Sequence, residues 1–96
     1  MKITEIKNII EKVLEDNKAI NIISINLKKK SYIADYMVIA SGTSSRHLQA
    51  LSELIVSELK KKGIANCRIE GKDSSEWKLV DATDIIVHIF HPTKRS

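Results

Sequence analysis

The run Tyr36-Met37-Val38-Ile39-Ala40 is apolar at every position, and it constrains this chain more than any other feature. A strand with one solvated face alternates apolar and polar residues; this run does not. It predicts a central strand covered on both faces, and with it a layered fold. The chain leaves the run through Ser41-Gly42-Thr43-Ser44-Ser45 and enters a segment of helical period. Leu48, Leu51, Leu54, Ile55 and Leu59 fall on one side of that helix, predicted over 45–62. Lys60-Lys61-Lys62 suit the negative end of the helix dipole, and Gly63 suits the left-handed position just beyond it.

The flanking segments complete the layers. Ile3, Ile6, Ile10, Val13 and Leu14 recur at three- and four-residue steps with Ile9 beside them, predicting an amphipathic helix over 3–17. Ile23, Ile25 and Leu27 alternate with Ser24, Asn26 and Lys28, the period of a strand with one wet face. Residues 28–31 read as a turn into the next strand. After the second helix, "CRIEG" is a short strand and "KDSS" a loop. "EWKLVD" and "DIIVHIF" are two strands joined tightly through Ala82-Thr83, and Pro92 ends the last. The class is α/β (α+β): a mixed sheet of about five strands packed with helices. The helix between the second and third strands allows a right-handed crossover and a parallel pair there. The other neighbours can be antiparallel hairpins. Ninety-six residues without repeat or linker make one domain, 1–96. Two helices do not blanket both faces of such a sheet, so some apolar sheet surface is left for a partner, a second subunit or a further segment.

Several function classes lose ground. No apolar run approaches the roughly 18 residues of a membrane span. The N-terminus has acids throughout and no small-residue cleavage site, so it reads as a folded helix rather than a leader, and cytoplasm is the expected location. The single Cys67 excludes an internal disulfide and a multi-cysteine zinc site, and reads as a small core hydrophobe. A net charge of +4 permits a polyanion such as RNA without requiring one. A phosphate loop needs a second glycine followed by Lys, and here Gly42 has neither; GxGxxG is absent too. Thr43, Ser44 and Ser45 are instead candidate helix caps. Arg46 and His47 sit at the unfavourable end of the dipole, where a cation suits an outside partner better than the helix. Asp81 and Asp84 flank a turn and read as turn formers, and Glu70 and Glu76 lie near strand ends. No convergent carboxylate set, HxxxH spacing or triad emerges, so no metal, cofactor or catalytic residue is assigned. His88 reads as a half-buried, hydrogen-bonded strand residue. Trp77, the only tryptophan, leads a strand after a polar loop, as a core residue or as an anchor for a protein partner.

Taken together, "ADYMVIASGTSSRHLQAL" and "EGKDSSEWKLVDATDIIVHIF" resemble the ribosomal silencing factor, or Iojap-like, family. The matching positions are Asp35, Tyr36, Gly42, Thr43, Ser44, Ser45, Arg46 and His47, then Glu70, Gly71, Trp77, Asp81, Asp84, Val87 and His88. The family's continuation past "HPTKRS", a Tyr-x-Leu-Glu-x-Leu-Trp segment, does not follow here, and its absence would bare part of the sheet. The resemblance implies a nucleotidyltransferase-like topology without known catalysis. It implies binding to the large ribosomal subunit through the fourteenth-family ribosomal protein, blocking the small subunit sterically and lowering translation when nutrients are scarce. Organellar relatives aid large-subunit assembly. Carried over, Trp77 is the central anchor, with Lys78, Leu79, Glu70 and Ser75 as neighbours on the same sheet edge. The lysines at 28–30 and 60–62 would lie near ribosomal RNA at most peripherally. Spare apolar sheet is open to pairing with a second copy when the chain is free. A nucleotide-binding or nucleotidyl-transfer enzyme using the Gly42–Ser45 turn is the competing reading.

Overall fold

The computed structural model describes residues 2–28 and 34–91. Helix α1 runs Ile3–Asp16 and helix α2 runs Ser45–Lys61. Strands β1 (Ile20–Asn26), β2 (Tyr36–Ser41), β3 (Arg68–Glu70), β4 (Trp77–Asp81) and β5 (Ile85–Phe90) form one sheet in the order β1-β2-β5-β4-β3. Among the described strands β2 and β5 pair in parallel, and the other neighbours are antiparallel.

The parallel pair that the sequence allows between the second and third strands does not form. β3 lies at the far edge against β4, and the parallel neighbour of β2 is β5. The reason is burial. The last three strands fold as a meander whose third member, apolar at every position but His88, takes the central place, while the three-residue β3 goes to the rim.

Both helices lie on one face of the sheet. Ile10 and Leu14 from α1, with Leu48, Leu51, Ile55 and Leu59 from α2, are wholly buried there. They pack on Val38, Ala40, Val80, Ile85, Val87 and Ile89, the alternate residues of the three inner strands. Truncating one of these leucines to Ala would cost about 2–5 kcal/mol. Leu54, expected in the α2 stripe, is 41% exposed instead. It sits about a third of a turn from the centre of the stripe, and Ser52 occupies the stripe, its hydroxyl donating to the Gln49 carbonyl at 2.8 Å. Gly63 takes the expected left-handed conformation, φ 89°.

Among the described residues the second face carries no helix, so the expectation that β2 is covered on both faces fails. Met37 and Ile39 remain only half-buried. In β1 the alternation holds with its polarity reversed. Ser24 faces the helices, where its hydroxyl donates to Glu11, while Ile23 and Ile25 are exposed on the open face. Most of the predicted turn at 28–31 and Pro92 lie outside the described residues.

A candidate partner-docking face

Cross-strand registers assemble the open face row by row. Ile23, Ile39, His88, Leu79 and Glu70 lie side by side across five strands. On one side runs Ile25, Met37, Ile86, Asp81 and Arg68; on the other Ile20, Ser41, Phe90 and Trp77. The middle of the face is therefore apolar and its β3 border is charged. Exposed Ile20, Ile23, Ile25 and Trp77 leave a broad apolar surface in water. Contiguous apolar patches of that kind mark interaction sites, and an apolar centre with a polar rim is the anatomy of a protein interface.

Trp77 stands at one corner, 40% exposed. It is the first residue of β4, held there by the Ser74 hydroxyl, which accepts from the Glu76 and Trp77 backbone N–H groups at 3.1 and 3.2 Å. Its indole lies against Gly71: a Cβ built at residue 71 would come within 2.7 Å of Trp77 Cζ3. Gly71 also has φ 79°, the left-handed region that favours glycine. His88, in the middle row, stacks on Phe90 with ring centroids 5.6 Å apart. Burial pushes its pKa below the ordinary histidine value.

Of the five expected partner contacts, the fold brings three together: Trp77 and Leu79 two residues apart on β4, and Glu70 directly across from Leu79. Ser75 is exposed on the adjoining loop, in a shallow hollow shared with Thr43, Ser44, Ser45, Glu76 and His91. Lys78 faces the other way. Strand alternation turns it toward the helix layer, where it is 3% exposed.

The Gly42–His47 motif is a joint. Ser44 caps α2, its hydroxyl accepting from the His47 backbone N–H at 3.1 Å. The Thr43 N–H donates to His47 Nδ1 at 2.9 Å, so Nε2 carries the ring proton and donates to the Asn17 carbonyl at 2.7 Å. That bond ties the start of α2 to the end of α1. The Gly42 N–H donates to the Phe90 carbonyl at 2.9 Å. The amides of residues 42, 43 and 47 are thus spent on the protein itself, which disfavours a phosphate cradle. Arg46 is exposed beside Glu53 and Asp73 in a shallow hollow. Asp35 works through its backbone, accepting from Leu27 and donating to Asp84 at 2.7 and 2.8 Å. Asp81 forms its turn as expected, its carboxylate accepting from the Thr83 N–H at 3.0 Å. Cys67 is half-buried, and burial followed by the Asp81 charge raises its thiol pKa.

The sequence leaves apolar sheet surface uncovered without assigning it, and the fold assigns it to Met37, Ile39, Ile86 and Phe90 on the inner strands and Ile20, Ile23 and Ile25 on β1. Their signal was the count of helices: two helices cover one face, so every second residue of an all-apolar strand must lie on the other. Among the described residues, no group of three or more His, Cys, Asp or Glu side chains converges as a metal site would require, and no helix is long and apolar enough to cross a membrane.

Comparison with known proteins adds independent findings. The profile of the family described as "Ribosomal silencing factor during starvation" matches residues 1–96. The chain is 46% identical over 83 residues to Ribosomal silencing factor RsfS of Zymomonas mobilis, covering 86% of this chain and 62% of that one. It is 35% identical over 86 residues to mouse Mitochondrial assembly of ribosomal large subunit protein 1, covering 86% of this chain and 38% of the relative. A crystal structure of a Chromobacterium violaceum protein superposes with a TM-score of 0.91 at 36% identity, covering 96% of this chain and 77% of that one.

Proposed function

Because the chain belongs to the ribosomal silencing factor family, we propose that it represses translation by docking its open sheet face on the large ribosomal subunit. The docking partner in this reading is the fourteenth-family large-subunit ribosomal protein. A domain seated there blocks the small subunit sterically, and the mouse relative's name supports an additional part in large-subunit assembly. The observation that carries the reading is the helix-free face, with Trp77 at its corner and a charged border at Arg68, Glu70 and Asp81. Fully burying one exposed large apolar side chain contributes about 1.5–3 kcal/mol, and Ile20, Ile23, Ile25 and Trp77 are 39–49% exposed, so docking draws on many residues of this face together. Basic residues outside the face add at most a peripheral, salt-dependent attraction to RNA. No catalytic step is part of the mechanism. The Gly42, Thr43 and His47 amides, each donating within the protein, weigh against the nucleotidyl-transfer alternative.

The free chain has the same apolar face to cover, and pairing with a second copy would cover it. Self-association and subunit docking then compete for one surface. A subunit-joining assay tests the reading. Large subunits preincubated with the protein are mixed with small subunits, and joined ribosomes are resolved on a gradient. The reading expects fewer joined ribosomes in proportion to the protein added. Undiminished joining at saturating protein refutes it.

A further inference from the structure

We propose that Lys78 is a positioning residue that fixes the pose of Trp77, a role that rests on Trp77 being the anchor of the docking face. A lysine carries three side-chain N–H donors and no acceptor. Here all three are met by one loop: Lys78 Nζ donates to the carbonyls of Gly71, Lys72 and Ser74 at 2.7, 3.0 and 2.7 Å. Buried lysines are rare unless so satisfied, and this one is 3% exposed. The Gly71 carbonyl also accepts from the Ser74 N–H at 2.9 Å, so the loop is closed once by its own backbone and again by Lys78.

The consequence reaches the other face of the sheet. Gly71, pulled in by Lys78, forms the floor under the indole of Trp77. Ser74, held by its carbonyl to Lys78, presents the hydroxyl that accepts from the Trp77 N–H. Adjacent residues 77 and 78 thus point to opposite faces of β4, and the inward one sets the loop that braces the outward one. An anchor held in one pose binds without first losing rotamer freedom, which is what preorganisation contributes.

Trp77 is the only tryptophan, so its fluorescence reports this corner alone. The test is Lys78→Met, which keeps an unbranched apolar stem and removes the donors. In the free protein, with folding checked by circular dichroism, the proposal expects faster acrylamide quenching and lower anisotropy of Trp77 than in wild type. Large-subunit affinity should fall about tenfold, the order of a lost preorganised side chain. In a Trp77→Ala background, Lys78→Met should weaken binding no further. Unchanged Trp77 fluorescence in folded Lys78→Met overturns the proposal, as does an equal further loss of binding in the Trp77→Ala background. Should Lys78→Met fail to fold, nuclear magnetic resonance of the wild-type protein decides the matter. Slowly exchanging Lys78 side-chain protons with through-space transfer to Gly71 support it, and freely exchanging ones overturn it. Wild-type binding by Trp77→Ala would instead refute the docking reading, and the fluorescence result would stand apart from it.

Discussion

Gly42→Ala separates a structural joint from a ligand loop. A Cβ at residue 42 would stand 2.7 Å from Leu48 Cδ2 and 3.2 Å from His47 Nδ1. Neither neighbour yields readily. Leu48 is wholly buried in the core, and His47 Nδ1 is the acceptor for the Thr43 N–H. Overpacking of this kind costs about 1–3 kcal/mol, against which the stiffer unfolded chain returns about 0.4–1 kcal/mol. A net loss of about 1.3 kcal/mol lowers the melting temperature of a domain this size by about 5–10 °C. Thermal and urea unfolding followed by circular dichroism measure it, with large-subunit binding assayed well below the new midpoint. The expected result is a less stable protein that binds normally once folded. A melting temperature equal to wild type refutes the packing argument. Normal stability with lost binding would return the loop to the role of a binding site.

Three further outcomes follow from the same geometry. Ser44→Ala removes the α2 cap and should cost about 1 kcal/mol in urea unfolding, whereas Ser45→Ala, one residue past the cap, should cost a few tenths. Folding shields the His88 ring and lowers its pKa from the ordinary 6.5, so the neutral ring is the form that folding favours. Its contribution is full above pH 6.5 and is lost as pH falls through the lowered native value; His88→Leu should therefore lose less melting temperature than wild type between about pH 7.5 and pH 5. Ile23, 49% exposed on the open face, should be replaceable by Ser with a stability change within about 0.5 kcal/mol, yet the variant should pellet more weakly with large subunits.

Element types and boundaries were largely legible in the sequence because each carried a local signal. The stripe from Ile3 to Leu14 marked α1, the stripe from Leu48 to Leu59 marked α2, and Ser44 stood where a cap belongs. What local signals do not carry is which strand neighbours which. The helix between β2 and β3 allows a crossover onto an adjacent β3, but adjacency goes to β5 because its longer apolar run gains more from the centre. Periodicity also does not say which face of a strand is dry. Ile23 and Ile25 alternate as core residues do, yet they face solvent, an exposure that docking or self-pairing would use. The grouping of Trp77, Lys78, Leu79, Glu70 and Ser75 rests on the family resemblance and not on a local signal. The fold keeps Trp77, Leu79 and Glu70 on one face, and the period-two turn of the strand separates Lys78 from them.

The most direct test of the central claim is pelleting of Trp77→Glu with purified large subunits, beside wild type. Removing an interface anchor costs about 2 kcal/mol or more, so affinity should fall at least about thirtyfold. Trp77 is 40% exposed at the corner of the sheet, so the free variant should remain folded. The account predicts a folded Trp77→Glu protein left in the supernatant at concentrations where wild type pellets. A folded variant that pellets with large subunits as wild type does would contradict it.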